Sequence, residues 1–402
     1  MIVHRGAWVL PIAAPPVRRG WIAVERGRIA AIGGPADVPP ASAEPSEERQ
    51  EILLPGLVNA HTHLELSWLR GLVPPCSSMP AWVDRLIARR RAVAGQPPTP
   101  IVEGIEEVMA GGTALIGDIA NTLDAWEPIA RSGLGGYVFH ELLGFNVQDP
   151  DTIVADTQAS IDALEHIPHL RCAVVPHAPF STSPALFTAI AAAGRDRVLS
   201  VHLGESNEEV EFLHTGLGAW RDLLERLGTW DPGWSPPGCG PVEYLERLGC
   251  VNERLLAVHG VQLTDAELAR LADAGATLVT CPRSNRWTGA GDPPIGRFYD
   301  SGVRVAIGTD SLASVETVRL FDELAAVRAL VPGVPAAAVL RSATASGAEA
   351  LGFGDVYGTL EPGKVAAVIG VQVPPDVTDV EEYLLSGIAP GAVRWVHRGA
   401  LT

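Results

Sequence analysis

Between Leu53 and about Ser314 the chain repeats one pattern: a short apolar run that ends in polar residues and is usually followed by a stretch of helical periodicity. There are eight such runs: LLPGLVNAHTH (53 to 63), TALIGDIAN (113 to 121), GGYVFHELLGF (135 to 145), LRCAVVPHAP (170 to 179), RVLSVHLGES (197 to 206), RLLAVHGVQ (254 to 262), ATLVTCPRSN (276 to 285) and VRVAIGTDS (303 to 311). Helices are predicted between them at 182 to 193 behind Ser181 or Ser183, at 264 to 274 behind Thr264, and at 316 to 330. Eight strands alternating with helices point to an α/β fold, a (β/α)8 barrel over residues 53 to 352. A doubly wound open sheet is the alternative, but its G-x-G-x-x-G phosphate fingerprint between a strand and a helix is missing.

Residues 1 to 52 (WIAVERGRIAAIGG) and 353 to 402 (GTLEPGKVAAVIGVQ, RWVHRGA) differ in character, reading as short strands separated by Gly and Pro turns. Both ends are predicted to pair into one small β-rich domain beside the barrel. A length of 402 residues with 47% hydrophobic content suits one large core and a small one.

The net charge of −17 works against binding a phosphate backbone, which depends on clustered Lys and Arg. Nucleic acid is therefore not an expected partner, and Arg89, Arg90 and Arg91, the only dense basic run, read as a solvated helix face. Five cysteines, an odd number without C-x-x-C spacing, imply neither a disulfide framework nor a zinc ribbon, so a reducing cytoplasm is the expected compartment. The N-terminus lacks a basic region followed by a sustained apolar one, and no membrane span is expected. A serine hydrolase is disfavoured by the lack of a G-x-S-x-G elbow.

Polar residues at the carboxyl ends of barrel strands are where this architecture places its chemistry. The first run ends in His61-Thr62-His63, and alternate residues of an extended strand face one side, so both imidazoles can chelate one metal. An isolated H-x-H is weak, since random placement of 11 histidines gives roughly 0.3 such pairs. Here His202 follows the fifth run, His259 the sixth and Asp310 the eighth, so four strand ends of eight carry ligand-type residues. Imidazole nitrogens with one carboxylate suit Zn²⁺ or Fe²⁺ better than Mg²⁺ or Ca²⁺.

The segments PGLVNAHTHLELSWLRG, VHLGESNEEVEFL, AVHGVQLTDAEL, CPRSNRWTGAG and IGTDSLAS resemble the motifs of the amidohydrolase superfamily, nearest its cytosine deaminase and chlorohydrolase-like branch. That resemblance implies one divalent metal ion per chain, Zn²⁺ first and Fe²⁺ second, held by His61, His63, His202 and Asp310. The fourth run ends in His177 with no lysine for a carboxylated bridge, which implies a mononuclear centre and a substrate contact for His177. Glu205, in an H-x-x-E arrangement with His202, takes the role of acid and base, while Glu208, Glu209 and Glu211 of the same acidic run are expected to be solvated at a helix N-terminus. His259 orients the attacking oxygen, its contact with the metal left open, and Asp310 also accepts a proton. The implied reaction is hydrolytic deamination: water adds to an amidine-like ring carbon, Glu205 protonates the ring nitrogen and ammonia leaves.

The segments HLELSWLRG, MPAWVDRLIARRR and CPRSNRWTGAG are similar to the branch containing aminodeoxyfutalosine deaminases of menaquinone biosynthesis. An adenine ring at the metal and a distal carboxylate near Arg70, Arg283 or Arg286 are then expected. Further substrate contacts are expected from Glu141, Trp82, Ser284, Asn285 and Trp287 in the loops that follow the strands. The other readings are a chlorohydrolase or amide hydrolase using the same centre and, more remotely, a non-catalytic binding protein on the same barrel. The expected partner is a small molecule, and homodimerisation is a family expectation.

Overall fold

The computed structural model describes residues 1–40, 44–93 and 99–399. Positions 41–43 and 400–402 of the terminal segments, and 94–98 of the loop expected to read substrate, lie outside the described residues.

Each of the eight runs contributes one strand: β1 Leu57–Thr62, β2 Thr113–Ala120, β3 Gly135–Leu142, β4 Leu170–Pro176, β5 Leu199–Leu203, β6 Leu255–His259, β7 Thr277–Thr280 and β8 Arg304–Ile307. They are almost wholly buried and apolar, as parallel strands covered by helices must be. Regular parallel ladders join β1 to β4 in order and β5 to β8 in order. Two seams complete the ring with fewer bonds. At one, the His202 amide donates to the His177 carbonyl at 2.9 Å; at the other, the amides of Thr309 and Asp310 both donate to the His61 carbonyl at 3.0 Å. A parallel bridge also pairs Thr62 with Asp310.

The connecting helices start where local chemistry allows. Pro184–Ala193 is capped by Ser183, whose side chain accepts from the Leu186 amide. Asp265–Asp273 starts with a reciprocal capping box between Thr264 and Glu267. The helix expected from 316 begins only at Leu320. The Thr317 carbonyl is held by Arg283 at 3.0 Å and the Val318 amide donates to Glu107 at 2.9 Å, which keeps this stretch extended.

Both chain ends supply one mixed sheet. Across it run Val393–Arg398, Ala367–Gln372, Glu44–Pro55, Ile2–Val9, Trp21–Glu25 and Arg28–Gly33. Leu53, Leu54 and Pro55 pair here with Gly370, Ile369 and Val368, so the first barrel strand starts at Leu57 rather than at Leu53. Residues 353–399 also carry a short helix, Val380–Leu384, where only strands were expected. Its start is set by Asp379, whose side chain accepts from the Glu382 amide. Within the sheet Arg394 grips Glu51 with two hydrogen bonds of 2.8 and 2.6 Å, and the Trp395 indole donates to the Met109 carbonyl at 2.9 Å, fastening the sheet to a barrel helix. No described helix is long and apolar enough to cross a membrane.

Gly308 sits at the β8 to β1 seam, where a Cβ would come within 2.7 Å of His61 Cβ and 2.8 Å of its carbonyl oxygen. Both neighbours are rigid, so the strands would have to separate. We expect Gly308→Ala to lower the unfolding free energy by about 1–3 kcal/mol, as overpacking does. An unchanged denaturant midpoint would contradict so close a seam.

Candidate metal centre and active site

The two seams bring the polar strand ends together. The imidazole centroid of His61 lies 4.9 Å from that of His63, 5.0 Å from His202 and 5.6 Å from His259, while His177 lies 4.8 Å from His202. Strand alternation puts His61 and His63 on one side, their Nε2 atoms 3.2 Å apart. Asp310 Oδ1 stands 3.5 Å from His63 Nε2. Below them Asn59 locks β1 to the turn after β8, donating to Thr309 Oγ1 at 2.8 Å and accepting from its amide at 3.1 Å. His259 and Asp310 both have left-handed backbones, φ 78° and 60°. For residues other than glycine this costs about 1–3 kcal/mol and persists only where the surroundings enforce it.

Electrostatics favour neutral rings and disfavour the Glu205 anion. Burial first, then the neighbouring imidazoles, holds His61 and His63 well below the ordinary histidine range. Burial takes His259 down to about 3 against the opposing pull of Asp310, and takes His177 to about 4 with help from Arg90. The Glu205 carboxyl is pushed well up by burial, then by Asp310 and Glu209.

Hydrogen bonds select which atoms face inward. His202 Nδ1 is 3.0 Å from the His177 carbonyl, which leaves Nε2 for the centre, and Asn285 Nδ2 contacts His259 Nδ1 at 2.9 Å, with the same consequence. Ser284 Oγ donates to Asp310 Oδ2 at 2.5 Å, leaving Oδ1 toward His63. Among the described residues three groups could hold a cation: His61 with His63 and Asp310, His61 with His202 and His259, and Glu141 with His177 and His202. Neutral nitrogen lone pairs and a carboxylate converge there, the buried Nδ1 of His61 has no partner, and no arginine or lysine pairs with Asp310 among the described residues. This donor set fits a borderline divalent ion such as zinc.

Glu205 Oε2 is 3.4 Å from His259 Nε2, and its Oε1 is 3.5 Å from Asn285. Glu209, expected to be solvated on the acidic run, is fully buried. Its two oxygens accept from the amides of Gly204 and Glu205 at 2.9 and 3.1 Å, so it holds the turn that carries Glu205. Glu141 lies at the end of β3, 3.4 Å from His202 Nδ1 and bonded to Asn121 at 3.0 Å.

A cavity of about 320 Å³ opens over this cluster, lined by His63, His177, His202, Glu205, His259 and Asp310 at its floor and including Glu141 and Trp82. Several expected substrate contacts are elsewhere. Arg70 bonds Glu107 at 2.5 Å, Arg283 bonds the Thr317 carbonyl and the buried Glu323, and Arg286 pairs with Asp292. Arg283 is thus held by a buried carboxylate, whereas Arg70 and Arg286 pair at exposed positions. Trp287 donates to the Val73 carbonyl at 2.9 Å and packs outside the cavity, while Ser284 and Asn285 stand behind Asp310 and His259. Arg89, Arg90 and Arg91 are exposed, as expected of a solvated face, and Arg90 also lines the cavity, as do Phe180 and Trp220, stacked at 3.8 Å.

A family model described as the amidohydrolase family matches residues 52–386. The chain is 31% identical over 354 residues to the aminodeoxyfutalosine deaminase of Deinococcus radiodurans, covering 83% of this chain and 81% of that protein. It is 30% identical over 370 residues to the 5-methylthioadenosine/S-adenosylhomocysteine deaminase of Syntrophobacter fumaroxidans, covering 88% and 80%. Among solved structures, a zinc-bound adenosine deaminase from Xanthomonas campestris superposes with a TM-score of 0.84 at 28% identity, covering 99% of this chain and 92% of that one.

Burial raises the Glu209 carboxyl to about 7. A folded-state value above the unfolded one means that the fold prefers the protonated acid, so this stabilisation is full below the pKa of unfolded glutamate and is lost as pH rises through about 7. Between pH 5 and pH 8, the wild-type unfolding free energy should fall more steeply than that of Glu209→Gln. Parallel pH profiles would contradict a protonated Glu209.

Proposed function

The chain belongs to the amidohydrolase family and is a hydrolase acting on carbon–nitrogen bonds, and from that premise we propose that it deaminates an adenine-type nucleoside, with aminodeoxyfutalosine as its substrate. The observation that carries the reading is a protonatable, buried Glu205 beside His259 on the floor of a cavity shared with His61, His63, His202 and Asp310. The deaminases of adenine nucleosides among its relatives support the substrate class.

In this reading His61, His63, His202 and Asp310 hold one divalent ion, zinc or ferrous iron, which supplies Lewis acidity that makes water a nucleophile at neutral pH. Burial disfavours the Glu205 anion, and the carboxyl delivers a proton to the ring nitrogen next to the carbon under attack. Asp310, its Oδ2 tied to Ser284, accepts the proton that water gives up. His259 points Nε2 at the oxygen that adds to the ring. The exocyclic carbon–nitrogen bond then breaks and ammonia leaves with the transferred proton. His177 and Glu141 flank the ring side of the cavity.

Ammonia release across aminodeoxyfutalosine, adenosine, S-adenosylhomocysteine, guanine and cytosine tests this directly. Aminodeoxyfutalosine should have the highest kcat/KM, and Glu205→Gln should lower kcat by about 10²–10⁴-fold. A clear preference for adenosine would remove the proposed substrate. Chloride release from a halogenated triazine with no ammonia from any ring would remove the deaminase.

A further inference from the structure

Two imidazoles of the centre turn Nε2 inward, but the chemistry of their outer partners gives them opposite tautomers. His202 Nδ1 lies 3.0 Å from the His177 carbonyl, which can only accept, so Nδ1 carries the ring proton and Nε2 keeps its lone pair. His259 Nδ1 lies 2.9 Å from Asn285 Nδ2, an amide nitrogen that can only donate. A neutral His259 ring then accepts at Nδ1 and carries its proton at Nε2.

The surroundings decide which end of the Asn285 amide faces the ring. The same Nδ2 stands 3.5 Å from Glu205 Oε1, so its two hydrogens serve two acceptors, one on each of two neighbouring groups. A reversed amide would set its oxygen against that carboxylate oxygen. Asn285 is wholly buried and its Oδ1 has no partner, so the working end of the amide is its nitrogen. The preceding residue, Ser284, donates to Asp310. The short helix Pro282–Thr288 thus brings consecutive side chains up behind Asp310, His259 and Glu205.

We propose that Asn285 is a positioning residue that fixes His259 as the Nε2–H tautomer, which makes His259 a hydrogen-bond donor to the reaction and not a ligand of the ion. With Nδ1 engaged by Asn285 and Nε2 protonated, His259 has no lone pair to give, and it drops out of the donor set that it could form with His61 and His202. The Nε2 proton faces Glu205, whose Oε2 lies 3.4 Å away. From there it is directed to the oxygen that gains negative charge as water adds to the ring. That role in the reaction rests on the deaminase reading, whereas the tautomer does not.

Nitrogen-15 spectra of histidine-labelled protein report which ring nitrogen carries the proton, and the His259 signals are identified by their loss in His259→Gln. His259 should be protonated at Nε2 in the metal-free wild type and stay so on loading with zinc. Asn285→Asp keeps the shape of the side chain but offers only acceptors, so the ring proton should move to Nδ1. Its kcat should fall by about 10²-fold, the size of one lost oxyanion donor, with KM changed by less than about twofold. Asn285→Ala, which neither donates nor accepts, should lose less. A space-filling role predicts the reverse order, because aspartate is the closer isostere. An unprotonated Nε2 on His259 in the zinc-loaded wild type, an unmoved proton in Asn285→Asp, or a greater loss in Asn285→Ala overturns the proposal. The expected protonation without ammonia release from any aminated ring would instead overturn the deaminase reading.

Discussion

The carbonyl of His61 accepts the backbone amides of both Thr309 and Asp310, and this pair of bonds joins the last barrel strand to the first. The same contact fixes Asp310 in a left-handed conformation, sets its carboxylate beside His63 and brings Thr62 into register with it. Gly308 is needed because no side chain fits between the strands there. Barrel closure and the assembly of the polar centre are thus one event. The second seam repeats the arrangement, since the bond between His202 and His177 joins two further imidazoles to the centre.

An apolar shell makes that centre reactive. Burial disfavours the charged forms of the imidazoles and of the Glu205 carboxyl, and neutral rings keep the nitrogen lone pairs that the proposed cation would need. Such burial is tolerated because nearly every group has a designated partner: Ser284 for Asp310, Asn285 for His259, the His177 carbonyl for His202 and Glu209 for the turn that carries Glu205. Around the centre, Nδ1 of His61 and Oδ1 of Asn285 are buried without a partner.

The barrel was legible because its signal is local and repeated. Eight buried strands must be apolar along their length, and their polar ends must lie on one face of the barrel. The meeting of His61, His63, His202, His259 and Asp310 follows from that rule. The direction of each flanking side chain does not. Arg70 and Arg283 looked available, but their partners Glu107 and Glu323 are distant in sequence and invisible to spacing. Glu209 looked solvated because it sits in an acidic run, although its carboxylate satisfies two amides only one turn away. For Arg90 a signal existed: it continues the apolar stripe of Met79, Trp82, Val83, Leu86 and Ile87. The three consecutive arginines hid it, since only one of them falls on that stripe.

The dependence of ammonia release on a bound ion is measured most directly by elemental analysis of the purified chain together with activity before and after chelation. About one zinc or iron per chain is expected, with release from an adenine-type nucleoside lost on chelation and regained in proportion to the ion restored. Undiminished ammonia release from folded, metal-free protein would contradict a metal-dependent centre built on His61, His63, His202 and Asp310.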